Sequence, residues 1–329
     1  MQKKKYNKLI YLLLIILLFT LPILFKSSHY FLLLACIIGI YIIVVSGLDI
    51  LVGYSGQVSL GHAAFYAIGA YASVILNVRL GINVWFSIIL GGIVAAIMAV
   101  CIAIPSVKLV HHFLAMLTIA FGEVINAIIV NWRGVTGGHT GLMNIPPPKI
   151  GSLVFDDNFS YFYIVYIFVI IFLISKQRII HSRTGRALKA IRESEIAADG
   201  LGINLRRYKV LAFGISAFYA GFAGGLYAYL VNFISPQTFT LDQSIIFLTM
   251  ALFGGSGSFM GPIIGSIVVT LIIEYLQIIS YYQTLVYGLF LLIIVMYFPS
   301  GIISLFSTEK NILLKRIGFQ KTRSLKIKY

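Results

Sequence analysis

Charge is what this sequence lacks most. Asp, Glu, Lys and Arg make up only 11% of it, where a soluble domain carries about 25%. Hydrophobic residues make up 60%, at a mean hydropathy of +0.97. An ordinary water-soluble fold is thereby excluded, and the chain reads as an integral membrane protein. Acidic residues are scarcest, ten against 25 Lys and Arg, for a formal net charge of +15. That excess raises nucleic-acid binding as a reading. The cations, however, sit in short segments beside apolar runs with no aromatic-basic recognition module, the pattern of cytosolic loops, so no nucleic acid is expected. Cysteine is nearly absent too. Cys36 and Cys101 both fall in apolar runs, which excludes a disulfide framework and predicts two small buried hydrophobes.

Catalytic signatures are missing as well. The sequence has no Gly-x-x-x-x-Gly-Lys-Ser/Thr phosphate loop, no His-Glu-x-x-His and no Gly-x-Ser-x-Gly, so neither ATP hydrolysis nor membrane hydrolase chemistry is expected of it. His62, His111 and His112 have no companion at metal-ligand spacing, and neither metal nor cofactor is expected. Energy for any transport must come from elsewhere.

What is present is a series of apolar runs near the ~20 residues that cross a hydrocarbon core. The first, 9–25, follows Lys3, Lys4, Lys5 and Lys8 and reads as an uncleaved span with a cytosolic N-terminus, because no small-x-small cleavage site follows it. Five more fall at 30–52, 60–78, 83–104, 111–131 and 159–175, returning the chain to the cytosol at Lys176. The remainder fall at 209–232, 241–254, 258–277 and 280–298, before a basic cytosolic tail at 310–329. The predicted fold is an all-α polytopic bundle, a single transmembrane domain over 1–329 with about ten helices. The count drops toward eight if the short 241–254 run is a half-helix. On this topology 21 cations lie inside and only Lys26, Arg79, Arg133 and Lys149 lie outside, as the positive-inside rule expects.

The loop at 176–209 holds nine of the 25 cations. Within it, residues 184–201 read as one amphipathic helix, with Ala187, Ala190, Ile191, Ser194, Ala197, Ala198 and Leu201 recurring at three- and four-residue spacing. Lys189 with Glu193, and Arg192 with Glu195, fall at helical pairing distances worth about 0.3 kcal/mol each. Gly200 and Gly202 end it. Such a helix suits either a groove on a soluble partner or the surface of an anionic bilayer.

Two polar stretches interrupt the apolar pattern. One carries Gly53, Ser55, Gln57, Ser59 and His62; the other carries Gly254, Gly255, Ser256 and Pro262. If non-helical backbone lies at membrane depth it lines protein or a watery path, and helices restarting at Ser59 and at Ser258 or Pro262 would aim amides at an anionic group. Both stretches are equally readable as cytosolic turns. Glu123 and Glu274 fall inside spans as candidates for the pathway or for pairing in the bundle, whereas Asp49 and Asp242 lie near span ends and read as interfacial. The longest outside loop, 131–158, can be read as a partner-receiving surface or as a passive lid.

Several of these segments resemble one family. Leu51-Val52-Gly53-Tyr54-Ser55-Gly56-Gln57-Val58-Ser59-Leu60-Gly61-His62-Ala63-Ala64-Phe65, Phe121-Gly122-Glu123, Thr136-Gly137-Gly138, Gly185-Arg186-Ala187-Leu188-Lys189-Ala190-Ile191-Arg192-Glu193-Ser194-Glu195-Ile196-Ala197-Ala198 and Phe253-Gly254-Gly255-Ser256-Gly257-Ser258 look like the permease of branched-chain amino acid ABC importers, in order across 44–299. The resemblance implies a subunit of the bacterial plasma membrane that pairs with a second, related permease. It also implies docking on two cytosolic ATPase subunits and solute delivery by an extracytoplasmic binding protein. It makes 185–202 the coupling helix, with Glu195, Ala198 and Gly202 approximating the family's Glu-Ala-Ala...Gly pattern and Arg186, Arg192 and Glu193 beside them. Ser55, Gln57, Ser59, His62, Glu123, Gly254, Gly255, Ser256 and Glu274 then become candidates for the translocation path. Rival readings are a urea, short-amide or sugar ABC permease and, from another class, an ion-coupled secondary transporter.

Overall fold

The computed structural model describes residues 28–106, 111–150 and 153–276, with isolated positions 22, 288, 289 and 292. The expected first and last spans (9–25 and 280–298) and the basic tail (310–329) lie outside the described residues. Ten helices are labelled here in chain order: α1 His29–Asp49, α2 His62–Leu80, α3 Val84–Ser106, α4 His111–Asn131, α5 Asn158–His181, α6 Arg183–Glu193, α7 Glu195–Gly200, α8 Leu205–Val231, α9 Leu241–Gly254 and α10 Gly261–Leu276. Six stretches are long and apolar enough to cross a membrane, namely α1 with its extension to Tyr54, α2, α3, residues 113–131 of α4, α5 and α8; α9 and α10 are shorter apolar helices.

The long α8 is the bundle's centre, packing on α3, α2 and α1. Leu205–Val231 is studded with Gly and Ala, and in a bilayer, where lipid is as apolar as protein, such small residues let backbones approach until dispersion and close packing hold the helices. At Gly69 of α2 an added Cβ would run into the Gly221 backbone of α8, so any side chain there would push the two helices apart. Side-chain hydrogen bonds set the helix directions. Asn158 donates to the His29 carbonyl at 3.2 Å and Lys176 meets Asp49 at 2.8 Å, so α1 and α5 run parallel. Tyr161 donates to the Leu226 carbonyl at 2.7 Å and Tyr219 to the Phe172 carbonyl at 3.2 Å, so α8 runs against α5.

α1 does not end at Asp49. It widens into a π-helical turn, Ile50–Tyr54, a geometry that recurs at functional sites. The chain then doubles back: His62, the first residue of α2, bonds Ser216, and an added Cβ on Gly47 would sit 2.9 Å from the Ser216 carbonyl. α2 therefore begins level with Gly47, and residues 55–61 run between as buried or half-buried irregular backbone. This segment is enclosed by protein.

Four expectations are corrected. α5 extends to His181, beyond the expected 175, because the apolar residues Ile179 and Ile180 follow the first loop cations; Lys176 is carried into the bundle and is fully buried. Asp49, expected at the interface, is also fully buried, because the π-helical turn carries the helix past it. The single helix expected over 184–201 is two, broken at Ser194, whose extended backbone and hydroxyl end α6 and cap the Ala197 amide of α7, a role for which serine competes well. Cys101 faces outward, whereas Cys36 is buried as expected.

At the opposite end, residues 132–150 and 153–157 fold down onto the bundle. Leu142 pairs with Ile234 in an isolated bridge, Lys149–Ile150 pair with Leu153–Val154 as a two-stranded antiparallel ribbon, and the Arg79 guanidinium donates to the Gly134 and Val135 carbonyls.

Candidate functional site

At the end carrying α6, the two interruptions meet. Asp49 Oδ1 accepts a hydrogen bond from the Gly257 amide at 2.6 Å. Its other oxygen, Oδ2, lies 2.8 Å from Lys176 Nζ in an ionic contact. Lys176 Nζ also donates to the Ser258 carbonyl at 3.1 Å. Neither side chain reaches solvent. The Gly53 backbone presses on the same spot: a Cβ there would collide with Asp49 Oδ1 and the Gly257 nitrogen. Gly257 itself has φ +80°, which an L-side chain adopts only with strain.

α6 reaches into this junction. Arg192, in its last turn, donates from its guanidinium to the Gly53 carbonyl, and Gly56, at φ +72°, would bring a Cβ within 3.3 Å of Arg192 Cγ. Lys189 Nζ lies 5.3 Å from the centre of the Tyr54 ring. The expected Arg192 to Glu195 pairing is thus replaced: Arg192 turns inward, and Glu195 bridges Lys209 of α8 at 2.7 Å.

The remaining expected coupling residues divide by exposure. Arg186 is exposed and donates to the His181 carbonyl at 3.1 Å; Glu193 is exposed and Ala198 is buried. Gly202 is exposed with φ +77°, in open space. Ile196 and Leu201, both strongly apolar, are 89% and 79% exposed.

The expected pathway residues do not form one cavity. Ser55, Gln57, Ser59 and His62 are buried and bonded to protein: Gln57 to Ser55 at 2.6 Å, His62 Nδ1 to Ser59 at 2.9 Å and His62 Nε2 to Ser216 at 2.6 Å. The helix restarts fall at His62 and Gly261 rather than at Ser59 and Ser258 or Pro262, because hydroxyls already cap them. The Ala63 amide donates to Ser244 at 2.9 Å and the Gly261 amide to Ser258 at 2.9 Å. Gly254 packs its backbone on Gly261, Gly255 turns the chain at φ +105° and Ser256 is half-buried. Glu274 accepts from the Tyr30 hydroxyl, an α10 to α1 contact far along the chain from the junction. Glu123 is exposed on α4, beside a small cleft shared with Leu60, Ala63, Asn126 and Ser244.

Asp49 and Lys176 are the residues the sequence reading missed. The available signal was one carboxylate and one ammonium at the edges of apolar runs, each needing a partner of opposite sign once carried into the bundle.

The helical bundle, with six helices long and apolar enough to cross a bilayer among the described residues, is of the polytopic membrane class. The family model described as "Branched-chain amino acid transport system / permease component" matches residues 30–298, and the chain belongs to that family. It is 33% identical over 293 residues to the high-affinity branched-chain amino acid transport system permease protein LivM of Escherichia coli (strain K12), covering 82% of this chain and 69% of LivM. It is 27% identical over 293 residues to LivH of the same organism, covering 82% and 93%. It is 24% identical over 278 residues to the ribose import permease protein RbsC of Haemophilus influenzae, covering 78% of each. No solved structure gives a significant match.

Proposed function

We propose that this chain is a membrane-spanning permease subunit of an ABC importer, carrying branched-chain or related hydrophobic amino acids into the cytosol by alternating access driven by separate ATPase subunits. One observation carries the reading: the 33% identity to LivM over 293 residues. Spans at 9–25 and 280–298 would complete about ten crossings and leave both termini in the cytosol of a bacterial plasma membrane.

Physical features support the parts of this reading. Eight Lys and Arg lie between Arg178 and Lys209, against Arg79, Arg133 and Lys149 at the opposite end, which favours a cytosolic α6. Apolar Ile196 and Leu201, exposed at this charged end, favour the groove of a soluble ATPase over open water. Glu123 shares the outward face of α4 with Phe113, Met116, Val124 and Ile128. A carboxylate facing lipid costs about 2.5–3.5 kcal/mol on insertion scales, so this face suits a second, related permease with the solute path between the two. The tied-down segments 132–150 and 153–157 offer a surface for a solute-binding protein.

Purifying the tagged chain in mild detergent and reconstituting it with its copurifying subunits tests the proposal. The expected result is leucine uptake that requires ATP and a binding protein. Uptake at full rate in cells lacking any partner ATPase would overturn it in favour of an ion-coupled carrier, and preferential uptake of a sugar would move the chain toward its ribose-permease relative.

A further inference from the structure

The ion pair at the centre of the buried junction, Asp49 with Lys176, lies outside the segment 185–202 that the family resemblance made the coupling helix, and Arg192 links that segment to it. Four segments distant in sequence converge on two side chains. Asp49 belongs to α1 and Lys176 to α5. The Gly257 amide and the Ser258 carbonyl belong to the turn between α9 and α10, and Arg192 brings α6 to the Gly53 carbonyl. The glycines leave no slack. Gly53 and Gly257 touch backbone to backbone, and a Cβ on Gly257 would lie 2.8 Å from the Arg192 guanidinium.

We infer that Asp49 and Lys176 are positioning residues of the transport cycle, the joint through which a displacement of α6 reaches both interruptions of the bundle at once. The inference rests on the proposed function, since it needs an α6 that is moved by a motor. Two features of the chemistry argue for it. A buried ion pair contributes no more stability than apolar side chains of the same volume, so packing alone does not account for it. Its polar atoms also do specific work. One carboxylate oxygen holds the Gly257 amide, the other faces the ammonium, and the ammonium holds the next carbonyl, so the turn at 257–258 cannot move away from α1 and α5 without breaking two buried, charge-assisted hydrogen bonds. Arg192 fixes the same π-helical turn from the cytosolic side. Such a node gives α6 a contiguous, directionally bonded connection to both interruptions.

The test is the number of solute molecules taken up per ATP hydrolysed by the reconstituted complex, in wild type, in the double variant Asp49→Asn/Lys176→Met, and in Arg192→Gln. The double variant removes both charges together, leaving no unpaired charge, while the Ser258 carbonyl loses its donor. The expected result is a fall of roughly tenfold in uptake per ATP for the double variant, with its hydrolysis within about twofold of wild type, and a smaller fall in the ratio for Arg192→Gln. A purely structural role would lower uptake and hydrolysis in step and leave their ratio unchanged; that result overturns the inference. If the double variant fails to assemble, Arg192→Gln decides alone: it changes an exposed side chain, and an unchanged ratio in it is equally fatal. The wild-type arm separates this from the parent reading, because a complex whose uptake ignores ATP refutes the permease proposal itself and takes this inference with it.

Discussion

Two ion pairs stand near α6, and their lengths are nearly equal: 2.8 Å for Asp49 to Lys176 and 2.7 Å for Glu195 to Lys209. Their surroundings are not. Both members of the first are wholly enclosed, whereas the Glu195 side chain of the second is 40% exposed. Distance therefore ranks them as equals and environment separates them. Water and ions screen the outer pair and cheaply replace a lost partner. At the inner pair nothing replaces it, so removing one member strands the other in a medium that cannot solvate it. The outer pair ties α7 to α8 at the surface, and the inner one constrains how four segments sit together.

The largest effect that this difference predicts is for Lys176→Met alone, which leaves the Asp49 carboxylate buried without its counter-ion. A loss of about 3–5 kcal/mol is expected, seen as a steep drop in the unfolding midpoint of the detergent-solubilised protein. Adding Asp49→Asn should recover most of it. If the single variant were as stable as the double, Asp49 would be solvated and the contrast between the pairs would collapse.

His62 sharpens the contrast with a buried knot that carries no charge. Its two ring nitrogens bond Ser59 and Ser216, and a neutral imidazole donates from one and accepts at the other while serine serves either role. His62→Ala leaves two hydroxyls unmet and should cost about 1–3 kcal/mol. Uptake and ATP hydrolysis are expected to fall together as assembled complex is lost. A change in uptake per ATP would mean that His62 belongs to the moving joint as well.

A third step concerns the break between α6 and α7. Ser194→Ala removes the hydroxyl that accepts from the Ala197 amide at 3.2 Å and should cost about 1 kcal/mol. Faster amide exchange confined to 194–200 would report it. Exchange spreading into α1 would instead couple the hairpin to the buried joint more tightly than one side chain explains.

Much of this architecture was readable from hydropathy, because a membrane span must satisfy its own backbone and so announces itself by length. The ranges 30–52, 83–104 and 111–131 fall within two or three residues of the helical spans Ile50–Tyr54 extends, α3 and α4. The amphipathic segment was legible for the same reason, its position if not its break: Ser194 fits a helical stripe and a cap equally well, and only the backbone decides between them. The buried joint was not legible. Asp49 and Lys176 are 127 positions apart, and each has a sound local explanation as a residue at the edge of a span. Only the parallel packing of α1 on α5 brings them to one depth. The doubled-back segment 55–61 was half-read, its polarity plain and its depth set by His62 reaching Ser216.

The smallest expected effect belongs to the outer pair and tests the comparison from its weak side. Glu195→Gln keeps the size of the side chain and removes its charge opposite Lys209. Since the carboxylate is 40% exposed, solvent screening holds the loss to about 1 kcal/mol or less. The same loss should fade as salt rises, because at about 1 M the screening length shrinks to roughly 3 Å. Unfolding curves of wild type and variant in detergent should therefore converge in high salt, while the gap opened by Lys176→Met persists, its charges being out of reach of ions. Should both gaps close together, solvent would have access to Asp49 and Lys176, and the inner pair would be a surface contact like the outer one.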